Sequence, residues 1–138
     1  MTIVKSLITA DGIWETLCAP GQEKDTFELA PHGQYIIGVV DGKPIALVII
    51  HKTSKGYNKC HVQVLPEHRK EHSKEFGVKG MEFIWANNDF DYMMASISSK
   101  FPNVRRYAEM MGFEMIKTVD NFYADEGHDA WLFIARRP

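Results

Sequence analysis

Between Tyr35 and Leu65, apolar residues run in short blocks broken by polar pairs, a spacing that predicts strands. Tyr35-Ile36-Ile37-Gly38-Val39-Val40 is followed by Asp41-Gly42 and then by Pro44 to His51. Asp-Gly between apolar β-formers favours a two-residue turn with positive φ, so the segment predicts a hairpin. Thr53 to Gly56 makes the next turn, and Asn58 to Leu65 a third antiparallel strand. The period then changes. Phe76, Gly80, Phe83 and Ile84 fall at i, i+4, i+7 and i+8, which predicts one face of a helix beginning after Pro66. Tyr92 to Ser98 returns to strand character. Pro102-Asn103 opens a second helix with Val104, Tyr107, Ala108 and Met111 on one face, and Gly112 stands where a C′ glycine would end it. Phe113 to Val119 and Ala130 to Ala135 are two closing strands, joined through the polar turn Asp125-Glu126-Gly127-His128-Asp129. Upstream, Val4 to Ile8 reads as a short first strand. Asp11 to Leu17 reads as a brief helix with Asp11 as its candidate cap, and Cys18 to Gly33, rich in Pro, Gly and charge, as loop or short helical turn. The result is a mixed α/β layout.

Composition narrows the function classes. A chain of 138 residues, with 45% apolar and 25% charged positions, favours one globular domain around one core. A formal charge of −2 argues against a dedicated nucleic-acid binder, and the pairs Arg105-Arg106 and Arg136-Arg137 read as solvated surface. Cys18 and Cys60 lack CxxC spacing, and Cys60 lies in an alternating apolar run as a small hydrophobe, which predicts a reduced, cytoplasmic setting. Met1 to Leu17 carries Asp11 and Glu15 and reads as no signal peptide. The longest apolar run, Pro44 to Ile50, is too short to span a bilayer. Neither a membrane nor a nucleic-acid partner is expected.

Three motifs invite chemistry and do not carry it. His68-Arg69-Lys70-Glu71-His72 spells H-x-x-E-H, a zinc-peptidase pattern, but the run from Glu67 to Glu75 is polar all round and places cations beside the ligands. No metal is expected there. His128 among Asp125, Glu126 and Asp129 reads as a polar hairpin tip. Gly77-Val78-Lys79-Gly80 lacks the spacing and the Lys-Ser/Thr end of a P-loop. Met93, Met94, Met110, Met111 and Met115 suit core filling.

The order of elements resembles the GCN5-related N-acetyltransferase (GNAT) fold, and residues support the likeness. Val64-Leu65-Pro66-Glu67-His68-Arg69 is similar to the family's strand ending V-x-P before its basic phosphate turn. The segment from Asn103 to Glu114, ending Met111-Gly112-Phe113, is similar to its short helix ending in Gly-Phe, and Trp131 to Arg136 to its closing strand. The likeness covers Tyr35 to the C-terminus. It implies a mostly antiparallel twisted sheet of about six to seven strands flanked by helices. It implies acetyl-CoA as cofactor, its pantetheine arm in a gap between two parting strands and its pyrophosphate at a helix N-terminus. The matching cofactor-binding positions are Gln63, Val64, Leu65, Arg69, Lys70, His72, Ser73, Lys74 and Asn103. The matching catalytic candidates are His61 and Glu67 as bases and Tyr107 as acid.

Two departures accompany the likeness. Lys70, His72 and Lys74 occupy the phosphate turn's glycine positions, so their charge either replaces close backbone contact or their bulk blocks it. The family's acid tyrosine falls four residues before the helix-ending glycine, where this chain has Ala108; Tyr107 is adjacent and turned about 100° around the helix. The resemblance therefore implies two readings. One is an N-acetyltransferase acting on an amine, with acyl-CoA and the amine as partners. The other is a non-catalytic protein like the compact GNAT-like proteins of tailed bacteriophages, acting in head or virion assembly through protein contacts. Trp14, Trp85 and Phe90 could supply apolar area for a homodimer.

Overall fold

A computed structural model describes residues 2–17, 22–29, 32–123 and 127–138. Cys18, Asp125 and Glu126 lie outside the described residues. The chain opens with helices α1 (Thr2–Ile8) and α2 (Trp14–Leu17), then strands β1 (Gln34–Val40), β2 (Lys43–Lys52) and β3 (Asn58–Val64). A 3-10 turn (Pro66–His68) leads into the long helix α3 (Arg69–Asn87). Strand β4 (Tyr92–Ser98), helix α4 (Pro102–Met110) and strands β5 (Glu114–Tyr123) and β6 (His128–Arg136) complete the order. The six strands form one sheet in the order β1-β2-β3-β4-β6-β5. Every neighbouring pair is antiparallel except β3 and β4. This is the mixed α/β, GNAT-type architecture expected from the sequence.

The hairpin turn forms as its residues require, with Asp41 at φ 51° and Gly42 at φ 77°. The first element departs from expectation. Residues 4–8 are helical, because Val4, Leu7 and Ile8 fall at i, i+3 and i+4 and pack together on Leu47 of β2, while Ile3 is 51% exposed. A strand would have buried Val4, Ser6 and Ile8 instead. The face of α3 holds Gly80 and Ile84 as expected, with Phe76 packed against the core, and differs at Phe83. Gly77, Gly80, Met81 and Ile84 are buried, whereas Phe83, expected to face inward, is 52% exposed.

Helices α3 and α4 cover one face of the sheet over Val48, Ile50, Cys60, Met93 and Phe133. Helix α1 and Trp14 cover the other over Leu47. Helix α4 ends at Gly112, φ 99°, with the Phe113 amide donating to the Ala108 carbonyl. Strands β5 and β6 run further than their apolar cores suggested, through irregular pairings that leave Ile116 and Phe122 exposed. Arg137 is not the solvated residue expected. It donates to the carbonyls of Trp85, Asn88 and Phe90 and lies over the Trp85 ring, 5.3 Å from its centre. Trp85 also packs edge-on against Phe90, and Trp14 is buried. Among the described residues no helix is long and apolar enough to cross a membrane.

Phe133, fully buried where β6 meets the helices, should be the costliest truncation in the sheet. We expect Phe133→Ala to lower unfolding free energy by about 3–5 kcal/mol in urea titration. Phe122→Ala, at a position 60% exposed, should stay within about 0.5 kcal/mol of the parent.

Candidate active site

Strand β3 pairs with β2 along its whole length, from Asn58 with Lys52 to Val64 with Ala46. Strand β4 pairs with β6 along its whole length, from Tyr92 with Arg136 to Ser98 with Ala130. Between themselves β3 and β4 share one pairing, Lys59 with Met94. Each strand is held from outside and released toward the other, so the sheet splits. The split encloses a slot of about 230 Å³.

Side-chain alternation decides what faces it. On one face of the sheet the slot meets His61 and Gln63 of β3, Ser96 and Ser98 of β4, and Glu15 and Leu17 of α2. On the other it meets Cys60, Val62, Tyr107, Ala108 and Met111. The slot thus reaches from one sheet face to the other.

The turn at the mouth of β3 is fastened by Arg69. Its Nε donates to the Val64 carbonyl at 2.9 Å and its Nη2 to the Gly12 carbonyl at 2.9 Å. Gly12, at φ 86°, lies so close to Pro66 that a β-carbon would come within 2.3 Å of the ring. Helix α3 begins immediately after. Its cap, His68, makes no side-chain hydrogen bond, and the preceding 3-10 turn takes up the Arg69 amide, which donates to the Pro66 carbonyl at the positive end of a 19-residue helix. None of the residues from Arg69 to Lys74 has positive φ. Lys70, His72 and Lys74 therefore sit in ordinary helical backbone, and glycine is not needed for the conformation.

The candidate residues divide. His61, Gln63 and Tyr107 converge on the slot. Ser73 joins them through its carbonyl, which accepts a hydrogen bond from the Tyr107 hydroxyl at 2.7 Å. Val64 is buried and Leu65 packs toward α1, while Glu67, Lys70 and Lys74 are exposed at the helix start. His72 turns toward the groove between α3 and β1, with its Nε2 3.6 Å from Glu71. Asn103 accepts from Arg106 on the surface of α4. The rings of His68 and His72 are 5.9 Å apart, yet no group of three metal-ligating side chains occurs among the described residues.

Sequence reasoning missed Glu15, Ser96, Ser98 and the packing that brings α4 in. Ser96 and Ser98 alternate with Ala95 and Ile97, a polar face in an otherwise apolar strand that could have been noticed. Gly77 carries the other signal. A β-carbon there would lie 2.8 Å from the Tyr107 hydroxyl and 3.0 Å from Met111. A mid-helix glycine costs about 1 kcal/mol relative to alanine, and here it admits Tyr107 against α3.

Burial sets the protonation of the slot. His61 is pushed down to about 4, mainly by desolvation and further by Lys59 and His51. His51 is lowered by the same burial and by Lys59. The two rings stack nearly parallel, 5.5 Å between centres, with their Nε2 atoms 3.4 Å apart. Both are neutral at physiological pH, which makes His61 a weaker base than its ordinary pKa suggested. Tyr107 is raised to about 12 by burial, so its phenol keeps its proton. Cys60, likewise raised to about 12 by burial, is an inert thiol.

A family model described as "Protein of unknown function (DUF2824)" matches residues 13–135. A search of curated proteins finds no significant match. Among solved structures, a protein assigned as a GNAT-family acetyltransferase from Desulfovibrio desulfuricans superposes with TM-score 0.73 at 15% identity, covering 99% of this chain and 92% of that one. A protein assigned as a streptothricin acetyltransferase from Bacillus anthracis, in complex with acetyl coenzyme A, gives TM-score 0.64 at 14% identity, covering 78% of this chain and 64% of that one. This chain thus spans less than two thirds of that protein's length. A GNAT family acetyltransferase from Elizabethkingia anophelis, with acetyl-CoA bound, gives TM-score 0.63 at 10% identity, covering 75% and 76%. At these identities the likeness establishes the GNAT fold.

The lowered histidine pKa has a stability consequence. A group whose folded pKa falls below its unfolded value contributes stability above the unfolded pKa and loses it as pH falls through the folded one. Stability should therefore drop between pH 6.5 and about 4 by an amount on the order of 3 kcal/mol from His61. Urea unfolding across that range should show the drop, and His61→Asn should flatten it.

Proposed function

The chain belongs to the DUF2824 family, and we propose that it is an N-acetyltransferase that moves an acetyl group from acetyl-CoA to an amine. One observation carries this reading. The parting of β3 and β4 opens a slot, and α3 follows directly from the end of β3 and meets the slot residue Tyr107 through the Ser73 carbonyl, so a thiol arm and an anionic phosphate group would find neighbouring sites. The residues fit the cofactor. The start of α3 would hold the pyrophosphate at its positive end, with Lys70 and Lys74 adding charge from the solvent side. Backbone donors of β3 around Gln63 face the slot past the last pairing and serve the thioester oxygen.

Acetyl-CoA, when bound, supplies an activated acetyl thioester. Transfer of that acetyl group would give the amide and release the thiol of CoA, with a proton to be removed from the amine and one supplied to the sulfur. The nitrogen's proton passes to neutral His61, and His51, 3.4 Å away, offers it a way out. Tyr107 keeps its proton at neutral pH and is the group that returns one to the departing sulfur. Glu67, exposed at the helix start, holds the weaker claim to a base role.

A specific contact favours a second reading. The Tyr107 hydroxyl is committed to the Ser73 carbonyl, joining α4 to α3 beside the slot, and the glycine positions carry large side chains. A chain that kept this scaffold without the cofactor would act through its surfaces, as in virion assembly.

Calorimetric titration of acetyl-CoA into the purified protein separates the two. Saturation with a Kd on the order of micromolar, and stabilisation of about 2.7 kcal/mol at 100 times that concentration, is the expected result. No heat and no thermal shift at millimolar ligand would sink the transferase reading. Tyr107→Phe should then lower kcat more than it raises the Kd for acetyl-CoA.

A further inference from the structure

Resting on the acetyl-transfer reading, we propose that a hollow beside the slot is a subsite for an alkylammonium group of the acceptor. The hollow, about 230 Å³, opens on the sheet face that carries α1 and α2. Its walls include the rings of Trp14, Phe27 and Tyr35, and Glu28 is the carboxylate at its rim. His61 and Leu17 line both the hollow and the slot, so a molecule seated in one reaches the other.

Several features fix the sign of the ligand. No lysine or arginine lines the hollow among the described residues. Glu28 makes no ion pair or hydrogen bond with any described residue and is exposed at the rim, where it also borders a neighbouring hollow lined by Lys5 and Lys24. His51 and His61 are neutral, so the interior offers no positive charge. Trp14 and Phe27 pack edge to face, 5.4 Å apart at 82°, which holds their rings in place. A cation between aromatic faces and a carboxylate gains from the ring quadrupoles as well as the charge. An anion would be repelled by Glu28, and an uncharged ligand would leave it unpaired.

Size narrows the class further. The space is below the range of about 300–1,000 Å³ typical of drug-sized ligands. A short aliphatic amine fits it, and so does the side chain of a peptide lysine; larger sugar amines do not.

The test uses the intact protein and calorimetry with n-butylammonium, tetramethylammonium and n-butanol, and with a lysine amide to separate a peptide source from a free amine. Either ammonium ion should bind with a Kd on the order of 1 mM, and n-butanol much more weakly. Glu28→Gln, a substitution at the exposed rim, should weaken ammonium binding by about tenfold or more. Equal binding of butanol, an unchanged Glu28→Gln variant, or no ammonium binding up to about 50 mM would overturn the subsite. Acetyl-CoA titrated into the same samples keeps the two ideas apart. Cofactor binding without ammonium binding rejects the hollow alone, whereas ammonium binding without cofactor binding rejects the transferase and keeps the cation site. Tighter binding of the lysine amide than of butylammonium supports the subsite and points to a protein acceptor.

Discussion

Everything in the site depends on two adjacent strands that satisfy their backbones outward. β3 spends one edge on β2 and β4 spends one edge on β6, and only Lys59 and Met94 meet between them. An open edge inside a sheet would ordinarily attract another strand. Here the following segments prevent closure. Pro66 turns the chain out of β3, and Arg69 then clamps that turn to the Val64 and Gly12 carbonyls. On the other side, the short turn after Ser98 throws the chain into α4. The slot is therefore a product of how the two strands end.

Its two sides have different chemistry because alternation sends odd and even residues of β3 to opposite faces. His61 and Gln63 join Glu15 and the serines of β4 on the polar side. Cys60 and Val62 join Tyr107 and Met111 on the other. Burial keeps the titratable groups in the slot's interior uncharged. The histidines are held neutral from below their ordinary pKa and the phenol from above its own. The charges that remain are at the slot's exposed edge, where Glu15 and Lys100 line it.

Much of this fold was legible, and the limits are instructive. Asp41-Gly42 fixed the hairpin because few sequences form that turn without glycine, and Gly112 ended α4 for a similar reason. The residues Val4, Leu7 and Ile8 misled because a short apolar cluster satisfies either period, and only its packing on Leu47 selects the helix. On α3 only Phe83 was misplaced, and Gly77 was overlooked because its value lies in letting Tyr107 approach. His61 was visible as a candidate, but its partnership with His51 requires the register that sets Ile49 opposite His61. The slot itself was expected from the family likeness and from no local pattern, since an absent pairing between distant strands leaves no mark in either.

The missing glycines of the phosphate turn have a conformational explanation. A glycine is indispensable where φ is positive or where a β-carbon would collide, as at Gly12 against Pro66. Neither condition holds from Arg69 to Lys74, where the chain is already a helix. Lysine and histidine there strain nothing. The shape of the turn is thus independent of what it binds. The slot is kept open by outward pairing and the Arg69 clamp, so it needs no ligand to persist, and its presence alone does not decide between the two functional readings. That decision falls to the helix amides and to Tyr107, whose hydroxyl must leave the Ser73 carbonyl before it can serve a departing thiolate.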